Sequence, residues 1–325
     1  MPLLSKTTTG YYKKMRGKPS EDAVLCKEYA DFCLLACSDG HGDAKCKYAR
    51  RGAELAVWVG DKVIREVRER CETIQDFAKE LNDTREQIFQ RIVCAWTEAV
   101  LDDYKIHHGE DTAFCEKYKE LLRYSRVIYE VRDEVMPARE YQKLAQYRFD
   151  CENDIYKITL FYGTTLNVAV VCDKFVFALG IGDGDVIAVN GKRVEWLLPS
   201  ADQFDTNPDS LCGRFSSLIR NFHAVLVPIT AGRRIKDNRF QPEFVLLATD
   251  GLRNAFLGDA EFADKMLEIA ELLRKGGGHT FAKSAQQWIE ERAQFGVTQD
   301  DVSFCLHTKH ALRPPRGKKG ARKGS

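Results

Sequence analysis

Apolar and polar positions along this chain follow two different periods. Residues 32–38 (FCLLACS) form a short continuous apolar run, the pattern of a strand buried on both faces. From 43 to 69 the spacing becomes helical, with Tyr48, Ala49, Ala53, Ala56, Val57, Val63, Ile64 and Val67 on one stripe. Asn82-Asp83-Thr84 predicts a helix start, and the segment after it carries Ile88, Ile92, Trp96 and Val100 on one face. Strand patterns return at 157–162, 166–172, 175–181 and 186–189, with Asp173-Lys174 and Asn190-Gly191 as turns. Further strands are expected at 223–228, 244–249 and 302–307. Helices are expected at 260–274 and 280–292, separated by Gly276-Gly277-Gly278.

The resulting order is strand, two helices, strands, two helices, strand. Hairpins dominate the middle rather than alternating βαβ units, so an antiparallel α+β sandwich is expected, not a doubly wound sheet. Between 101 and 156 the chain is charged, Tyr-rich and poor in strand signal. The expected organisation is one body at 1–308 with a helical insertion at about 102–155, then a basic tail at 309–325. The last stretch, RPPRGKKGARKGS, offers little that can pack and is expected to be disordered. Its charge suits a membrane surface, RNA or an acidic partner, or serves only as a solvated end.

Composition narrows the choices. The chain has 325 residues, 44% of them hydrophobic, enough for one large core or two small ones. A formal net charge of +1 gives no global argument for nucleic acid or an anionic membrane. No run of apolar residues is long enough to span a bilayer. The polar segment 1–20 lacks the apolar centre of a signal peptide. The 11 cysteines lack the regular spacing of a disulfide framework. A cytoplasmic location with mostly free, buried thiols is therefore expected.

Four acidic motifs flank the apolar runs: Glu21-Asp22, Asp39-Gly40-His41-Gly42, Asp250-Gly251 and Asp300-Asp301. Carboxylates at strand ends, with glycine allowing close backbone approach, are what hard divalent cations require. An all-oxygen set favours Mg²⁺ or Mn²⁺ over zinc, and Gly40 has a carbonyl oxygen to add. His41, beside the carboxylates, is a candidate general acid. Taken singly, each motif is equally well an Asx turn or a solvated strand-ending turn.

Other constellations carry less. With Gly180, the run Gly182-Asp183-Gly184-Asp185 superficially resembles a dinucleotide loop, but no crossover helix follows it. An acidic loop at the site edge or a plain β-turn fits it better. Cys33, Cys37, His41 and Cys46 do not have a common zinc spacing. Neither a nucleophile elbow nor a Walker A sequence is present, so a metal-activated water is the better nucleophile. Two cations ~3.5–4 Å apart lower the pKa of such a water and stabilise both oxygens of an in-line displacement.

The set SEDA (20–23), SDGHGD (38–43), GTT (163–165), IGDGD (181–185), ATDGL (248–252) and TQDDVSF (298–304) resembles the metal-dependent Ser/Thr protein phosphatases of type 2C, the PPM family. Arg51-Gly52-Ala53 after DGHG is similar to a bacterial branch of it. The resemblance covers about 10–307, apart from the insertion. It implies a four-layer αββα β-sandwich flanked by helix pairs, with two Mn²⁺ or Mg²⁺ ions at one end and a third possible. It implies that Asp39 bridges both ions, that Gly40 ligates through its carbonyl, and that Asp250 and Asp300 hold the first ion. Asp22, and Glu21 through water, would support the second, and Asp183 a weaker third. His41 matches the proposed general acid. Four positions depart from the family pattern. The phosphate-contacting Arg that usually precedes the Glu-Asp pair is replaced by Arg16, one position off, or Lys18. Asn254 stands where another Asp is common, Asp301 where Asn is, and Asp43 where Gly is.

Two function classes follow. One is a phosphatase that hydrolyses phosphoserine and phosphothreonine in proteins, monomeric, cytoplasmic and paired in signalling with a Ser/Thr kinase. The other is a catalytically inactive, phosphatase-like binding or regulatory module. A nucleic-acid binder acting through the tail is more remote.

Overall fold

The central strands are buried on both faces, so alternate side chains go to different cores. In β3 (Cys33–Ser38), Leu34 and Ala36 point to one core and Leu35 and Cys37 to another. The same alternation holds in β9 (Phe244–Ala248), where Val245 and Leu247 oppose Phe244, Leu246 and Ala248. A continuous apolar run therefore becomes a strand sandwiched between layers.

In a computed structural model of the chain, the structure describes residues 2–127, 150–198, 209–229, 240–310 and 312. One five-stranded antiparallel sheet has the order β1 (Leu3–Thr8), β10 (Val302–Thr308), β9, β6 (Asp185–Asn190), β7 (Arg193–Trp196). The other runs β2 (Ala23–Glu28), β3, β4 (Leu166–Val171), β5 (Phe175–Ile181), β8 (His223–Pro228). A core that includes Leu35, Ala169, Ala178, Val186, Leu247 and Cys305 fills the space between them. Helices α2 (Ala49–Glu69), α3 (Ile74–Asp83) and α4 (Arg85–His107) cover the second sheet, and α9 (Asp259–Arg274) and α10 (Gly278–Phe295) cover the first. This is the four-layer αββα sandwich that the hairpin pattern and the resemblance implied. Short helices α1 (Tyr11–Met15), α7 (Phe215–Asn221) and α8 (Asp250–Asn254) sit in the connections.

Within the region read as an insertion, the described residues are helical apart from a turn at 108–111: the end of α4, then α5 (Thr112–Val127) and α6 (150–159). Its remainder, 128–149, and the tail at 313–325 lie outside the described residues.

Four local expectations differ from the structure. Residues 157–162 are not a strand but the end of α6 and a 3-10 turn, Leu160–Tyr162. A short apolar run does not distinguish strand from buried helix by period alone, and Ile158 and Tyr162 pack in the core under α2. The helix expected from 43 begins only at Ala49, because Asp43 forms an Asx turn by accepting the Lys45 amide at 2.9 Å. Thr84 precedes α4, but its hydroxyl donates back to the Glu80 carbonyl instead of capping. Helix α3 was missed. Its start is a capping box in which Thr73 accepts from the Asp76 amide and Asp76 accepts from the Thr73 amide, with Asp in the place usually held by Glu.

Gly52 of the Arg-Gly-Ala run has a packing reason. A Cβ there would overlap the Tyr162 carbonyl, and the Gly52 carbonyl accepts the Trp96 indole N–H at 3.0 Å. The close approach seats α2 on the turn that leads into Gly163-Thr164-Thr165.

Candidate active site

Strand register brings the acidic motifs to one end of the sandwich. Ala23 pairs with Ser38, so Asp22, before β2, and Asp39, after β3, leave the sheet side by side. In the facing sheet, Asp185 pairs with Ala248, and the Thr249 amide donates to the Ser303 carbonyl. Asp250, after β9, and Asp300, before β10, therefore reach the same end. The two sheets are tied there: the Thr249 hydroxyl donates to Asp22 Oδ2 at 2.9 Å and accepts the Ser303 amide at 3.1 Å.

The backbone at Asp39 is clamped independently of its side chain. Its carbonyl accepts the Thr165 amide at 2.9 Å and the Thr164 hydroxyl at 2.6 Å, and its amide donates to the Thr165 hydroxyl at 3.0 Å. The His41 amide donates to the Gly163 carbonyl at 3.0 Å. The Gly-Thr-Thr segment is thus the platform on which Asp39-Gly40-His41 rests. At Gly40 a Cβ would stand 2.5 Å from the Glu21 carbonyl oxygen and 2.9 Å from the backbone of Ala49, so only glycine fits. At Gly251 a Cβ would overlap the Asp301 carbonyl. Gly182 has φ +110°, a conformation few other residues adopt, and its Cβ would stand 2.5 Å from Thr165. The glycines of the 180–184 run serve a tight turn against β4, consistent with a β-turn rather than a nucleotide loop.

The carboxylates crowd one another. Asp39 lies against Asp250, and burial, then the charges of Asp22 and Asp250, raise its pKa well above the usual carboxylate range. Burial, then Asp301, pushes Asp22 up to about 7, while burial and Asp250 raise Asp300. Asp22 Oδ1 is buried with no hydrogen-bond partner among the described residues. Each carboxylate leans on a local donor: Asp250 on Asn254 Nδ2 at 2.8 Å, and Asp300 on the Asp301 amide at 2.8 Å. Consistent with that, no three His, Cys, Asp or Glu side chains among the described residues already close into a finished metal cage. Rotation away from those donors is what an ion would demand. The donor set fits hard divalent cations: oxygens only, running from buried Asp22 through half-buried Asp39 and Asp250 to exposed Asp300, with an orphaned carboxylate oxygen and surplus negative charge.

Asp183 is buried at the edge of this end, two residues before the Asp185 register position. His41 is mostly buried, its Nε2 has no partner among the described residues, and burial lowers its pKa against the opposing pull of Asp43 and Asp250. Arg16 and Lys18 lie exposed in the turn after α1. The cation inside the cluster is Lys13, which sequence reading missed. Its Nζ stands 2.8 Å from both Glu21 and Asp301. Burial works to lower its pKa, but Asp301 and Glu21 outweigh it and the net shift is upward. Asp301 is a hub and not a spare ligand, accepting the Gly10 amide at 2.7 Å, the Glu21 amide at 2.8 Å and Lys13. Conformational context alone reveals this, because these partners lie far away in sequence.

A pH dependence follows from the crowded carboxylates. A carboxyl group whose folded pKa is raised favours folding at low pH and loses that contribution as pH rises through the folded value. Without metal, the wild type should lose stability relative to Asp39→Asn as pH rises above the ordinary carboxylate range, because the folded pKa of Asp39 lies well above it. Taking the difference cancels buried His307, whose pKa is lowered to about 4 and which works in the opposite direction. Thermal melts of both proteins in EDTA from pH 5 to 8 check this. A gap that stays constant or narrows with rising pH would refute it.

A family model described as protein phosphatase 2C matches residues 9–291. No curated protein matches the chain at a significant level. Among solved structures, the serine/threonine phosphatase Stp1 from Staphylococcus aureus superposes with TM-score 0.51 at 14% identity, covering 96% of this chain and 96% of that one. A bacterial serine phosphatase superposes with TM-score 0.50 at 13% identity, covering 97% of this chain and 100% of its own. At such identities the likeness is one of fold. No helix among the described residues is long and apolar enough to cross a membrane.

Proposed function

The chain belongs to the protein phosphatase 2C family and is a metal-dependent protein serine/threonine phosphatase, and on that premise we propose that the carboxylate cluster at the end of its sandwich is the catalytic metal site. The observation that carries this is the convergence of Asp22, Asp39, Asp250 and Asp300 from both sheets, with Asp39 against Asp250 and Asp22 Oδ1 left without a partner. Asp39 would span two ions with the Gly40 carbonyl, Asp250 and Asp300 would hold the first, and Asp22, with Glu21 through water, the second. Asp183 would support a third. Bound there, divalent ions supply an activated water and positive charge for the phosphoryl oxygens.

The chain's own groups do the rest. His41 Nε2, otherwise unpartnered, would hold the proton that passes to the leaving serine or threonine oxygen. Thr164 and Thr165 keep Asp39 and His41 in place through the backbone. Lys13, whose Nζ stands 2.8 Å from Glu21 and from Asp301, would share with Arg16 or Lys18 the part of meeting an incoming phosphate. We assign the chain to the cytoplasm, as a monomer that opposes a Ser/Thr kinase in signalling, using Mn²⁺ or Mg²⁺. Nothing among the described residues favours the inactive binding module, because every carboxylate of the ligand set is in place.

The test is hydrolysis of p-nitrophenyl phosphate and of a phosphothreonine peptide with Mn²⁺, Mg²⁺ or EDTA, comparing wild type with Asp250→Asn. Turnover that needs metal and is lost in the variant is expected. A folded wild type with no turnover in either metal would sink the proposal.

A further inference from the structure

The acidic centre has a basic border. Lys14, Arg16 and Lys18 follow Lys13 in one segment, and Lys45 and Lys47 follow Asp39-Gly40-His41-Gly42 in the other. All five belong to exposed residues, and none forms an ion pair with a carboxylate among the described residues, but Lys14 sits with Tyr11 and Met15 beside Glu290 and Gln294 of α10 and is set apart from the border. Just beyond, Arg50 and Arg51 are instead taken up by Glu54 and Asp103.

The two segments meet. A Cβ on Gly42 would stand 3.6 Å from Glu21 Oε2 and 3.9 Å from Lys13 Nζ. The first segment is folded tightly behind that contact: the Arg16 and Lys18 amides donate to the Lys13 carbonyl at 3.1 and 2.9 Å, and the Gly17 amide to the Lys14 carbonyl at 3.0 Å. The second is a turn closed by the Cys46 amide on the Asp43 carbonyl at 2.9 Å. Lys47 is set over the Phe161 ring, 5.7 Å from its centroid. Asp43 is the one acid in the second segment, and its Oδ1 is engaged by the Lys45 amide. Glu21, at the junction, is engaged by Lys13.

This border addresses a problem of the site itself. A polypeptide that carries acidic residues around its phosphorylated side chain is repelled by the carboxylate cluster. Unpaired cations on the approach reverse that sign locally and select for such a chain. From the phosphatase assignment and this geometry, we propose that the preferred substrates are phosphoproteins with acidic residues flanking the phosphoserine or phosphothreonine, read by Lys45 and Lys47 together with the turn at 16–18.

The experiment uses three fluorescent phosphothreonine peptides that differ only in having Asp, Ala or Lys on each side of the phosphoresidue. For the wild type, kcat/KM for the Asp-flanked peptide should exceed that for the Ala-flanked one by about five- to tenfold at low salt, from several exposed charge pairs acting together. The advantage should shrink as ionic strength rises. In Lys45→Ser/Lys47→Ser the preference should fall to within about twofold, with p-nitrophenyl phosphate turnover unchanged. Equal kcat/KM for all three peptides in the wild type, or an undiminished preference in the double variant, overturns the proposal. If the wild type hydrolyses no p-nitrophenyl phosphate, the phosphatase assignment fails separately. Fluorescence anisotropy of the same peptides then decides: tighter binding of the Asp-flanked peptide that disappears in the double variant supports the border, and equal binding refutes it.

Discussion

Asp39→Asn should lower metal-dependent turnover by on the order of a thousandfold or more, while the protein stays folded and, without metal, becomes more stable. The catalytic loss follows from the residue's position between Asp22, Asp250 and Asp300, where one carboxylate serves both proposed ions. Altering outer groups of metal sites already costs about 10- to 100-fold, so a shared ligand should cost more. The fold should survive because the bonds that hold this segment run through its backbone to Thr164 and Thr165. The gain in metal-free stability follows from the raised pKa of Asp39: burial and neighbouring carboxylates oppose its ionised form, and an amide removes that repulsion. Mn²⁺ should therefore raise the melting temperature of the wild type much more than that of the variant. Steady-state kinetics with Mn²⁺ and paired melts with and without metal check both halves. Retained turnover would remove Asp39 as the bridging group, and a large metal-free destabilisation would show that its side chain is structural.

The same residues show how far sequence could be read. Asp22, Asp39, Asp250 and Asp300 were legible because each abuts a short apolar run, and runs buried on both faces become adjacent strands in a sandwich. Their convergence needed the register, with Ala23 opposite Ser38 and Asp185 opposite Ala248. Lys13 was not legible, because its partners Glu21 and Asp301 are brought to it by the strand β1 and the short helix α1, which no strong periodicity announces. Asp301 stands where the family has Asn, and the Gly10 and Glu21 amides with Lys13 show why its charge is tolerated. The turn at 160–162 was misread for the opposite reason, since an apolar run that packs under a helix has the same composition as a strand.

Arg253→Met should be the most destabilising single change near the site, costing about 3–5 kcal/mol, the usual result of leaving a buried charge without its partner. Arg253 is almost wholly buried, with Nε 3.4 Å from Asp185 and a terminal nitrogen 3.6 Å from Asp259. Asp185 also accepts the Trp196 indole N–H at 3.2 Å. Burial still pushes Asp185 up to about 6 despite the facing guanidinium, so desolvation already dominates and loss of the cation worsens it. The raised carboxyl pKa fixes the sign with pH: the cost should be smaller at pH 5, where Asp185 takes up a proton, than at pH 7.5. Asp185→Asn should cost less, because Arg253 keeps Asp259 at the solvent side. The double variant should then fall well short of the sum of the two single changes, as expected for residues that share one interaction. Urea unfolding midpoints at the two pH values measure all of this. A cost below about 1 kcal/mol, or strict additivity, would mean that the pair contributes little. Because Arg253 lies in α8, whose first residue is Asp250, turnover should fall along with stability in Arg253→Met, and more in kcat than in KM, since the pair holds the end of β9 and the start of α8 rather than the substrate.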